Sequence, residues 1–113
     1  MSNTSGVMHL IGGYESAITA AGTTIADATA LTGGINLVTT TPSNSGVYLP
    51  NLRGPGAVVV VVNNGANTLK VYPPSSSGSI NAGSAGAAVS LATTKAGVFY
   101  PTGNGTYAFI AGA

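Results

Sequence analysis

The most apolar stretch of the chain is Ala57-Val58-Val59-Val60-Val61-Val62, closed by Gly56 before it and by Asn63-Asn64-Gly65 after it. β-Branched residues between turn formers predict a strand. A strand with one wet face alternates apolar and polar residues, whereas consecutive valines ask for apolar neighbours above and below. The run therefore predicts a central strand buried on both faces, into which a carboxylate at Val60 would enter at a cost of several kcal/mol.

Around this run the pattern breaks into short segments: Ile35 to Thr40, Gly46 to Leu49, Thr68 to Tyr72, Ala87 to Leu91, Gly97 to Tyr100 and Thr106 to Ile110. Clusters such as Pro42-Ser43-Asn44-Ser45, Pro73-Pro74-Ser75-Ser76-Ser77-Gly78 and Thr102-Gly103-Asn104-Gly105 separate them with residues that fix a turn or tolerate positive φ. Asn64-Gly65 between the valine run and Thr68-Leu69-Lys70-Val71-Tyr72 predicts a hairpin, with Leu69 and Val71 on one face and Lys70 on the other. Short strands at this spacing predict an all-β fold, a compact antiparallel β-sandwich or jelly-roll-like barrel. Only Ser16 to Leu31 is alanine-rich enough for helix, and Gly22 and Thr23-Thr24-Ile25 limit it to about a turn. Residues 1–20 stand apart, either as an N-terminal arm reaching a neighbour or as an edge strand, leaving 21–113 as a single β domain.

Composition adds an unusual surface. The 113 residues hold three Lys or Arg (Arg53, Lys70, Lys95) and two acids (Glu15, Asp27), so charged residues make up 4%, against about 25% in an ordinary soluble domain. Seventeen Gly with the Thr, Ser and Asn supply the polarity instead. A formal net charge of +1 repels neighbours weakly, which suits a chain that associates. Three scattered cations cannot release counterions from a phosphate backbone, so no nucleic-acid partner is expected. Cysteine is absent, removing both disulfides and thiolate metal sites. The N-terminal stretch has no basic n-region and its apolar segment Val7 to Ile11 is too short for a signal h-region, so no secretion signal is expected. No apolar run approaches the roughly 18 residues of a membrane-spanning helix, so no membrane partner is expected either.

Catalytic chemistry finds little to work with. His9 is the one conventional base, and it sits between Met8 and Leu10 in an apolar stretch that favours packing. Glu15 and Asp27 are the only acids, and nothing in their spacing places them across a cleft or around a metal. The glycines match neither dinucleotide nor phosphate-loop spacing and mark turns. The chain is expected to be no enzyme and to hold no cofactor or metal. Five tyrosines combine an apolar ring with a hydroxyl, a property shared by interface residues and sugar platforms. Arg53, between Leu52 and Gly54-Pro55-Gly56, places a bidentate donor on a constrained loop. His9, Tyr14, Tyr48, Arg53 and Tyr107 are the candidate protein–protein contacts.

Several stretches together resemble small β-structured virion proteins of tailed bacteriophages: Ala21 to Leu31, Gly46-Val47-Tyr48-Leu49-Pro50, Gly56 to Val62, Asn63 to Tyr72 with Pro73-Pro74 following, and Ile80-Asn81. Within that group the chain is most similar to capsid decoration, or cement, proteins. The resemblance implies a homo-oligomer, a trimer foremost, made in the host cytoplasm and bound to the major capsid protein on the capsid surface, where it braces contacts between subunits. The alternative is a receptor- or carbohydrate-binding β-module of a phage tail or fibre.

Overall fold

The structure, a computed structural model, describes residues 9–10, 13–51 and 57–111, with the backbone alone for His9, Leu10, Ala57 and Ala111. Among these residues eleven strands run in chain order: β1 (His9–Leu10), β2 (Tyr14–Thr19), β3 (Thr29–Ala30), β4 (Ile35–Thr40), β5 (Gly46–Tyr48), β6 (Ala57–Asn63), β7 (Leu69–Tyr72), β8 (Ser79–Ile80), β9 (Val89–Leu91), β10 (Lys95–Gly103) and β11 (Thr106–Ala111). Among the described residues the only helix is the 3-10 turn Ile25–Asp27, within the segment where the sequence allowed about one turn.

Two sheets form, a seven-stranded one in the order β2-β4-β6-β10-β11-β8 with β1 also on β6, and a four-stranded one in the order β3-β5-β7-β9. From β2 to β10 successive strands alternate between them. From β2 to β7 the chain crosses to the opposite sheet, returns, and lays the new strand beside the earlier one in the same direction; β9 and β10 then join β7 and β6 antiparallel, and β8 pairs with β11. Ile35 of β4 thus pairs with Val60 of β6, and Val47 of β5 with Val71 of β7, both in parallel. Among the described residues, six strand pairings are parallel and three antiparallel.

The fold is all-β and compact, but it winds as a β-solenoid and not as the antiparallel sandwich or jelly-roll-like barrel expected from the sequence. Strand lengths and turn residues are alike in the two architectures, and only the destination of each turn separates them. The Asn64-Gly65 turn makes the difference plain. The expected hairpin does not form: β6 lies between β4 and β10 in one sheet, while β7 lies between β5 and β9 in the other. The Asn63 side-chain carbonyl accepts the Gly65 N–H at 3.0 Å, an Asx turn that leads the chain out of its sheet. Among the described residues, consecutive strands joined by a two-stranded hairpin occur only at β10 and β11, across Asn104-Gly105, with Gly105 at φ +82°.

One core lies between the sheets. Val38, Val59, Val61, Phe99 and Tyr107 meet Leu31, Val47, Leu49, Leu69, Val71 and Leu91, all buried. Phe99 and Phe109 stack with centroids 4.6 Å apart, beside Gly97, whose missing Cβ leaves room for the Phe109 ring. Leu69 and Val71 share the inner face as expected, with Lys70 half-buried opposite. The valine run is only partly as expected: Val59 and Val61 are sealed in the core, but Val60 and Val62 on the other face are half-buried. Residues 14–19 of the expected arm are the edge strand β2, paired in parallel with β4.

Candidate interaction face

The outer face of the seven-stranded sheet carries the most unusual surface of the described residues. Register places Tyr14 of β2 beside Ile35 of β4, Ile35 beside Val60 of β6, Val60 beside Val98 of β10, and Val98 beside Ile110 of β11. At about 4.8 Å per strand the row is roughly 19 Å long. Tyr14 is 61% and Ile110 58% exposed, while Ile35, Val60 and Val98 are half-buried by their row neighbours. A second row, Leu37, Val62 and Ala96, runs alongside, and Tyr100, 37% exposed, stands beyond Val98 on β10. No charged residue occupies any of these positions.

The rows have a simple local cause. Side chains alternate across a strand, so in β6 one parity, Val59 and Val61, fills the core and the other, Val60 and Val62, must face out. Ile35 and Leu37 in β4, and Ala96 and Val98 in β10, occupy that same outward parity. Isolated apolar residues at a surface are ordinary, whereas a contiguous uncharged patch is a candidate contact surface.

The flank of this sheet is less suited to contact. β2 is an edge strand, yet its pairing with β4 shifts register between Glu15 and Ile18 and again between Ile18 and Thr19, and Ala17 sits at φ 61°. Such bulges bend an edge out of line with any strand that would extend the sheet. On this flank the apolar face, and not the β2 edge, is therefore the candidate contact surface.

The expected contact residues scatter. Tyr14 begins the apolar row. Tyr48 lies on the opposite side of the molecule: with Val47 and Leu49 in the core, its ring projects from the outer face of the four-stranded sheet. Tyr107 is 2% exposed, and its hydroxyl donates to the Pro50 carbonyl at 2.5 Å, so its ring belongs to the core and offers nothing to a partner surface. The side chain of His9 and the whole of Arg53 lie outside the described residues. Sequence reasoning missed Ile35, Leu37, Val98 and Ile110; their outward parity was readable strand by strand, but only register across five strands gathers them into a row.

Chemistry is scarce elsewhere. Among the described residues no group of three His, Asp or Glu side chains is placed to hold a metal, and no helix is long and apolar enough to cross a membrane. Glu15 and Asp27 lie exposed on separate elements, the edge strand β2 and the 3-10 turn. Neither protein-family models, nor curated proteins, nor solved structures yield a match to this chain.

Proposed function

We propose that this chain is a viral structural protein which binds the outside of a phage capsid as an oligomer and braces contacts between major capsid subunits. The observation that carries the reading is the uncharged row Tyr14-Ile35-Val60-Val98-Ile110 across one face of the sheet. A surface of this kind gains free energy at about 25 cal/mol per Å² of apolar area removed from water. A neighbour, either a second copy or the shell, supplies that burial. The low charge removes the repulsion that would oppose crowding identical modules on a particle.

Bracing by an oligomer works through avidity. One trimer touching several capsid subunits converts modest individual contacts into a strong attachment, because every contact after the first is intramolecular. Apolar contacts tolerate salt, since screening acts on charges. The module then needs no catalytic group, cofactor or metal to do its work.

The experiment pairs sedimentation of the purified chain with binding to phage capsids that lack it. A stable oligomer that decorates the shell and raises its resistance to heat or chelator is the expected result. A chain that stays monomeric at high concentration and leaves such capsids bare overturns the proposal.

A further inference from the structure

On the side away from the apolar row, a cleft of about 350 Å³ opens to solvent, lined by Ile25, Ala26, Tyr48, Pro74, Ser75 and Ser76. Its construction follows from the winding. Tyr48 of β5 pairs with Tyr72 of β7, so both rings leave the four-stranded sheet on its outer face. The Tyr72 hydroxyl donates to the Thr23 carbonyl at 3.2 Å, which ties the segment carrying the 3-10 turn Ile25–Asp27 down over that face. Gly46 makes this closure feasible, because a Cβ there would meet the Tyr72 ring at 2.7 Å. Tyr72 is thereby buried, and Tyr48 is left as the aromatic wall between the 3-10 turn and the Pro74–Ser76 corner.

The polar groups divide in the same way. The hydroxyls of Tyr72 and Tyr107 are spent on backbone carbonyls. Ser75 and Ser77 bond each other at 3.1 Å. Among the described residues, no protein group bonds the hydroxyl of Tyr48 or of Ser76. The cleft thus offers an aromatic face, a proline ring and the aliphatic side chains of Ile25 and Ala26 beside uncommitted hydroxyls, with no charge in its lining.

We infer that this cleft is a binding site for a neutral sugar, taking one pyranose ring of a glycan against Tyr48. A pyranose presents an apolar face of C–H groups and an equatorial rim of hydroxyls. The first suits the rings of Tyr48 and Pro74, the second the hydroxyls of Tyr48 and Ser76. An uncharged lining has nothing to pair with a phosphate or carboxylate, which excludes anionic ligands of the same size. The volume lies at the small end of ligand sites, about 300 to 1,000 Å³, and its open mouth lets a longer glycan continue into solvent. Because the cleft and the apolar row lie on opposite outer faces, a module seated by the row keeps the cleft exposed.

The test is a titration of the ¹⁵N-labelled full chain with methyl glycosides of glucose, galactose, mannose and N-acetylglucosamine, with glucose 6-phosphate as the charged control. The expected result is a saturable shift of the Ile25, Ala26, Ser75 and Ser76 amides by at least one neutral glycoside, with a dissociation constant on the order of 1 mM. Tyr48→Ala should weaken it about tenfold, and Tyr48→Phe much less, since the ring is kept. Ser76→Leu, at an exposed loop position, should abolish it by filling the cleft and serves should Tyr48→Ala fail to fold. The inference is overturned if no neutral glycoside moves these amides, if the phosphate binds as well as the sugars, or if Ser76→Leu leaves the titration unchanged.

Discussion

The side-chain amide of Asn63, at the end of β6 in one sheet, donates to the carbonyl of Leu91, in β9 of the other, at 2.9 Å. The same amide donates to the Asn67 carbonyl at 2.9 Å, and its oxygen accepts from Thr41 Oγ1 at 2.8 Å and from the Gly65 N–H. Asn63 is fully buried, so these four bonds replace everything water would have supplied. Thr93 adds a hydroxyl bond to the Gly65 carbonyl, and Asn67 donates back to the Thr41 carbonyl at 2.9 Å. One asparagine thus pins the corner at which the chain leaves one sheet for the other.

Replacing it exposes the size of that role. Asn63→Ala strands the Leu91 carbonyl, the Gly65 N–H and the Thr41 hydroxyl in a buried corner, where each unsatisfied group costs about 1 to 3 kcal/mol. We expect a loss of roughly 3 kcal/mol or more in urea unfolding. A loss below about 1 kcal/mol would mean that water reaches the corner and that the network is not what fixes it.

The Tyr107 hydroxyl bonds Pro50, which follows β5 in the facing sheet. Tyr107→Phe keeps the ring in the core and removes the hydroxyl, so the expected cost is about 1 to 2 kcal/mol. Assembly should be unchanged, because the ring is internal. A variant that folds with full stability but no longer associates would place Tyr107 at a contact surface.

The two parities of β6 give the sharpest contrast. Val61→Asp puts a carboxylate into the sealed core and should abolish folding, at a cost of several kcal/mol. Val60→Asp, one residue away on the half-buried outer face, should leave a cooperatively folding monomer that neither oligomerises nor binds capsids. Circular dichroism melts with sedimentation separate the two outcomes, and equal damage from both changes would show that the outer face is sealed within the monomer.

Ile110, at the far end of the row, tests the same surface with less risk to the fold. Ile110→Lys should change unfolding by no more than about 0.5 kcal/mol, as an exposed position does, while weakening association at least tenfold by seating a charge in an apolar contact. Association of the unaltered chain should strengthen in sulfate and survive moderate sodium chloride. Weakening with rising sodium chloride would point to an ionic interface.

Much of this protein was fixed by local chemistry. β-Branched runs and the spacing of Gly, Pro, Asn and Ser located β4, β5, β6, β7, β9, β10 and β11 within a few residues, because strand preference and turn geometry act over three to six neighbours. The shortest strands escaped: β1, β3 and β8 have two residues each, too few for any periodicity, and the bulges of β2 break its alternation. The scarcity of charge was legible at once, and with it the expectation of a surface built for contact. Tertiary structure alone decided where each turn delivers the chain. Asn64-Gly65 serves a hairpin or a corner equally well, and the choice rests on Asn63 finding Leu91, 28 positions along the chain. That choice sets parallel register, and register turns Tyr14, Ile35, Val60, Val98 and Ile110 into one row while leaving Tyr48 above a cleft on the other side. Local preference cannot specify such neighbours, since pairing partners lie 12 to 38 residues apart and are selected by the burial of the whole inner face at once.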